Sequence, residues 1–211
     1  MSKNYEGFDN LQMRNSSVVQ ERAGLVAVHM YKQYLEFQQI TVNVNEILGS
    51  IVKNVQAVIE YFKQSFCVRN LPVQNIKFVV DNANATVNLH ILWHTISFTS
   101  RLNMTPKALP RKEGLPLFCG RIFALDMDFY DILKNIDGND EEAVLRTALE
   151  HEIASLYVPA EKNQSAIITI KHKDNQELYV GQSEAAREFV LKVVEIVCAG
   201  GDFHEQWVRK F

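Results

Sequence analysis

The chain has 211 residues, of which 47% are hydrophobic and 22% charged, and its net charge is −3. This composition supplies a sizeable core and excludes a disordered chain, and the lack of a basic excess disfavours a general nucleic-acid binder. The N-terminus, Met1-Ser-Lys-Asn-Tyr-Glu-Gly-Phe-Asp9, lacks the apolar stretch of a secretory signal, and no apolar run approaches the roughly 20 residues that span a bilayer. The expectation is a cytoplasmic protein with no membrane insertion. Its three cysteines, Cys67, Cys119 and Cys198, are odd in number, widely spaced and set beside apolar neighbours, which reads as buried free thiols.

Residues 1–15 read as a flexible polar arm, followed by a single α+β domain over 16–211. From Ser17, a capping-box partner of Gln20, the apolar residues Val19, Ala23, Val26, Met30, Tyr34 and Phe37 recur at three- and four-residue steps and predict an amphipathic helix. A second helix is predicted after Asn43, capped with Glu46, along Ile47, Ile51, Val55, Val58 and Phe62, and the two are expected to pack as a hairpin.

Beyond Leu71-Pro72 the period becomes two. Ile76–Val80 and Thr86–Phe98 predict two strands around the turn Asp81-Asn-Ala-Asn84. Residues 103–116 hold Pro106, Pro110, Gly114 and Pro116 and form the clearest long loop. Phe118–Leu125 suits another strand, and Asp126 or Asp128 can cap a short helix that stops at Asp137-Gly138. Asp140 caps a helix expected to carry Val144, Ala148, Glu152 and Leu156 and to end before Pro159. Ala166–Lys171 and Glu177–Val180 flank the turn Asp174-Asn175, and Ser183 opens a last helix through Val197, capped by Gly200-Gly201. Strands joined by short turns make antiparallel sheets, so the class is α+β: an antiparallel sheet of two β-hairpins with amphipathic helices on one face.

Candidate chemistry is sparse. His90 and His94 have the spacing of a helical metal pair, but the alternation of Val87, Leu89, Ile91 and Trp93 toward the core predicts a strand, with both histidines on its polar face. Four strand residues span about 13 Å, too far for one ion, so no metal site is expected. His151-Glu152 resembles the start of a zinc-protease helix, yet Ser155 stands where the second histidine belongs. Asp126, Asp128 and Asp131 lack the glycine and glutamate of a calcium loop. Cys119, followed by Gly120 and Arg121, is the best cysteine for a nucleophile, but nothing places a histidine beside it. No glycine-rich phosphate or dinucleotide motif occurs, so no cofactor and no catalytic residue is assigned.

Two features suit a macromolecular partner. The 103–116 loop carries Lys107, Arg111 and Lys112 between prolines, and the tail 202–211 carries Phe203, Trp207 and Phe211 at four-residue spacing. The leading expectation is therefore a non-enzymatic protein-interaction module: an adaptor, a chaperone or a complex subunit, with a bacterial secretion-type adaptor as one example. The alternatives are a hydrolase or transferase whose histidines and Cys119 are assembled by the fold, and, third, a single-strand nucleic-acid binder.

Overall fold

The computed structural model describes residues 6–101, 119–137, 140–171 and 176–199, with 6–16 given as helix backbone. In chain order the elements are α1 (Glu6–Val68), a 3-10 turn (Val73–Asn75), β1 (Ile76–Asp81), β2 (Thr86–Ile91), β3 (His94–Thr99) and β4 (Gly120–Leu125). There follow α2 (Phe129–Asn135), α3 (Glu141–Glu150), β5 (Glu152–Val158), β6 (Ala166–Ile170), β7 (Gln176–Val180) and α4 (Gln182–Ala199). The seven strands lie side by side in sequence order, each antiparallel to the next. This is the expected α+β class with its hairpin pairing.

The first helical region is one continuous 63-residue helix, not a hairpin of two. It begins at Glu6, inside the stretch read as an arm, and it runs through Asn43, the expected second cap. Asn43 looks like a cap because its amide can bond to nearby backbone, but here it works across the fold. It is buried and donates from Nδ2 to the Pro159 carbonyl at 3.0 Å and the Ala160 carbonyl at 2.8 Å, while Oδ1 accepts from Gln39 at 2.9 Å. With no glycine or proline from Met30 to Leu48, nothing breaks the helix between the expected pair.

From Ile40 onward α1 is seated on the sheet. Ile40, Val44, Ile47, Ile51, Val55 and Ile59 are buried at three- and four-residue steps, and α4 lies beside α1 with Ala186, Phe189, Val190 and Val193 turned inward. Both helices cover the sheet face that carries Leu89, Ile96, Phe98, Ile122, Leu156 and Ile168. Phe189 meets Phe98 edge-on, with ring centroids 5.6 Å apart. On the opposite face α2 and α3 pack Phe129, Ile132, Val144 and Ala148 against Phe123 and Leu125 of β4.

The stretch Thr86–Phe98 is two strands rather than one. The chain reverses at Leu92-Trp93, where Leu92 has φ 57° and its N–H bonds to the Asn75 carbonyl at 3.1 Å. Hairpin turns of this length favour Asn or Gly at positive φ. Leu92 carries that strain while its side chain packs against the core. Trp93, expected inside, is 80% exposed at the turn. The helix expected through Leu156 stops at Glu150, and Glu152–Val158 is β5. β5 is central and buried on both faces, so it lacks the alternation that would mark it as a strand.

The Asp81 turn is as expected. The Asp81 carboxylate accepts from the Asn84 side chain at 2.6 Å and from the Ala83 and Asn84 amides, and these donors, the Asn84 side chain foremost, hold its carboxyl below the usual range. Asp128 caps α2 and Asp140 caps α3. Among the cysteines only Cys119 is buried; Cys67 and Cys198 are exposed. The expected caps at Gly200-Gly201 lie outside the described residues.

Gly120 is where α1 and the sheet come closest. A Cβ there would lie 2.2 Å from Val44 Cγ2 and 3.0 Å from Ile40 Cγ2, both short branched side chains on a fixed helix. Gly120→Ala should destabilise the fold by about 1–3 kcal/mol through overpacking, measured by urea unfolding. Adding Val44→Ala should recover part of that loss; if the double variant is no better than the single one, this contact is not what the glycine serves.

Candidate interaction surfaces

The sheet face opposite α1 is polar, and its polar groups are used within the fold. Asn88 donates from Nδ2 to Asp128 Oδ1 at 2.9 Å; Ser97 Oγ donates to Asn88 Oδ1 at 2.6 Å and accepts from the Phe129 amide at 2.9 Å. The same Asp128 oxygen caps α2 by accepting from the Tyr130 amide. This network ties the start of α2 to β2 and β3. Further along the sheet, Arg121 is buried with Glu152, donates from Nε to Ser155 Oγ at 2.7 Å, and lies over the rings of Phe123 (4.1 Å) and Tyr157 (5.3 Å). Burial pushes the Tyr157 hydroxyl above its ordinary range. Among the described residues no buried side-chain polar atom lacks a hydrogen-bond partner.

The histidines follow the same pattern. β2 and β3 pair so that His90 faces Thr95 and His94 faces Ile91, which puts His90 and His94 on opposite faces of the sheet. The expectation that they share a polar face is therefore wrong, because it rested on one continuous strand. His90 lies 3.7 Å from Asp128, and His94 sits beside Trp93. His151 is the cap residue of α3 and its Nδ1 is 2.8 Å from Asp126, whereas Glu152 already belongs to β5, so the two are not a helical pair. Cys119 packs with Tyr157 and Ile167. Among the described residues no group of three or more metal-binding side chains occurs. His172 lies outside the described residues, as do Lys107, Arg111 and Lys112 of the 103–116 loop and Phe203, Trp207 and Phe211 of the tail.

The apolar surface lies elsewhere. In α1, every residue from Ser17 to Gln39 is exposed except Gln33 and Phe37, which are partly so. Val19, Leu25, Val26, Met30 and Tyr31 each leave more than half of their surface in water, with Leu25 at 67%. At 1.5 Å per residue this segment is about 35 Å long. Its only charged residues are Glu21, Arg22, Lys32 and Glu36. No described helix is long and apolar enough to cross a membrane. Composition alone does not reveal this surface, since the apolar periodicity of Val19–Phe37 is the same signal that a core helix gives.

At the other end of α1 an open groove of about 670 Å³ runs between α1 and α4, lined by Val58, Tyr61, Phe62, Phe66, Leu191 and Val194 among others. Phe62 and Phe66 stack at 5.9 Å on its wall. Cys198, open to solvent on one side, sits at its rim, where partial burial against the groove pushes the thiol up to about 11. Alkylation at Cys198 should therefore be slow at pH 8 and keep rising with pH toward 11, because only the thiolate reacts. Rapid labelling that levels off by pH 9 would show that the thiol is not shielded.

The Arg121–Glu152 pair makes a second expectation. Glu152→Gln leaves a buried guanidinium without its counter-charge and should cost about 3 kcal/mol, the low end for a broken buried pair because Ser155 and both rings remain. Unfolding of Arg121→Leu with Glu152→Leu should show a smaller loss than either single change. Losses that simply add would mean that the two side chains are not coupled.

No protein-family model matches the chain, and no significant match is found among curated proteins or solved structures.

Proposed function

We propose that the protein is a non-enzymatic interaction module, serving as an adaptor, a chaperone or a subunit of a larger assembly, and that it meets its partner through the exposed segment of α1. The observation that carries this reading is the apolar surface of residues 17–39, where Val19, Leu25, Val26, Val28, Met30 and Tyr31 are more than half exposed. Apolar patches beyond a few hundred Å² are rare on monomers and mark contact sites. A helix that is apolar on most sides is normally buried among other elements. The loop residues Lys107, Arg111 and Lys112 and the tail residues Phe203, Trp207 and Phe211 are additional partner-binding candidates on sequence grounds. His90, Asp128, Asp126 and His151 are engaged in ties between elements, which gives the hydrolase or transferase alternative no specific support.

The test pairs Leu25→Glu with Met30→Glu, both at exposed positions and both introducing a good helix former. Neither side chain belongs to the core of the folded body, so the variant should still unfold cooperatively. Affinity purification from the native cell should return a protein at fixed stoichiometry with the wild type and lose it with the variant. The same partner at the same stoichiometry with both proteins would overturn this reading.

A further inference from the structure

We infer that a second copy of this chain covers the exposed segment of α1, lying antiparallel to it; the inference rests on reading that segment as an interface. Ala23, Met30 and Phe37 form one seven-residue series and Val19, Val26 and Gln33 another, offset by four and three residues. Together they make the a and d seam of a coiled coil. Both series continue into the folded body, the first as Val44 and Ile51 and the second as Ile40 and Ile47, and there they are buried beneath the sheet. The stripe that the body buries thus continues through residues 19–37, where Val19, Ala23, Val26 and Met30 are exposed and Gln33 and Phe37 are partly so.

A helical partner with the same stripe fits it when reversed. Antiparallel alignment about a two-fold axis between Val26 and Met30 sets Val19 against the partner's Phe37, Ala23 against the partner's Gln33, and Val26 against the partner's Met30. Every large or long residue then meets a smaller one, and the symmetry repeats each contact. The folded bodies, which begin near Ile40, fall at opposite ends of the pair.

Charge decides the direction. Arg22 and Glu36 both occupy the position just before a first-series residue, and in an antiparallel pair these flanking positions face each other. Arg22 then meets the partner's Glu36, and Glu36 meets the partner's Arg22. In a parallel, in-register pair Arg22 would instead face the partner's Ala27, and Glu36 the partner's Thr41. Neither Arg22 nor Glu36 makes an ion pair within the chain among the described residues. Glu21 and Lys32 make no such pair either, but they lie away from the seam; Arg22 and Glu36 are the two charges that flank it, and an antiparallel copy brings them together.

Sedimentation equilibrium of the full chain tests this. The wild type should be a dimer. Arg22→Glu alone or Glu36→Arg alone creates two like-charge contacts and should weaken self-association about tenfold. The double variant should regain wild-type affinity, and an equimolar mixture of the two single variants should form a mixed dimer in preference to either homodimer. A monomeric wild type overturns the inference, and so does a dimer whose affinity ignores these charges. If the wild type is monomeric but loses a different protein partner on Leu25→Glu and Met30→Glu, the interface reading stands and only the self-pairing falls.

Discussion

The fold depends on the seating of α1 across the sheet. Gly120 lets the helix come close enough for Val44 and Ile40 to rest against the backbone of β4, and Asn43 reaches between them to the carbonyls of Pro159 and Ala160. One contact sets the distance and the other sets the position along the helix. A slide of one turn would move Asn43 about 5.4 Å from its carbonyls and leave a buried amide without partners. With α1 fixed, the stripe from Ile40 to Ile59 defines one wall of the core, and α4 lies beside it.

The second face of the sheet solves a different problem. Its inner strands carry Thr86, Asn88, Ser97, Thr99, Arg121 and Ser155, all of them buried. An apolar helix pair would not adhere well to such a surface, and the apolar contact of α2 and α3 with it centres on Phe123 and Leu125. The remaining attachment is polar: Asp128 caps α2 and accepts from Asn88, and Ser97 bonds both Asn88 and the first amide of α2. Buried networks of this kind are costly unless every member is satisfied, and when satisfied they specify one arrangement. The aspartates and histidines that resemble catalytic material in the sequence are, at these positions, fasteners.

Local signals in the sequence located most elements, and the misreadings share one cause. Caps at Asp128 and Asp140, the Asp81–Asn84 turn and the stripes of α1 and α4 are decided within a few residues, so they are legible. Asn43, Leu92 and Glu152 are decided by contacts far along the chain. Asn43 has the chemistry of a cap but finds its acceptors at Pro159 and Ala160; Leu92 has no turn chemistry, but its side chain packs against the core; Glu152 continues a helical pattern yet is claimed by Arg121. The reading of His90 and His94 failed for the same reason, since their faces depend on where the chain turns. No candidate metal or catalytic pair in the sequence depended on a local rule strong enough to survive these tertiary choices.

The long helix also links the body to its exposed segment mechanically. A helix without glycine or proline from Met30 to Leu48 has no built-in hinge there, so residues 30–39 continue in the direction set by the seated residues 40–48. The stripe passes from buried at Ile40 through partly exposed Phe37 and Gln33 to exposed Met30 without a change in period. A surface segment shaped only for solubility would exchange these apolar positions for charged ones, since an isolated helix gains nothing from them. That residues 19–37 keep a core-like seam while Arg22 and Glu36 flank it follows naturally if this half of α1, like the other half, is packed against something in the working state. The body buries its half against a sheet, whose flat face takes a broad apolar stripe. The exposed half carries a seam of the same period, bordered by Arg22 and Glu36, and a second helix fits such a seam.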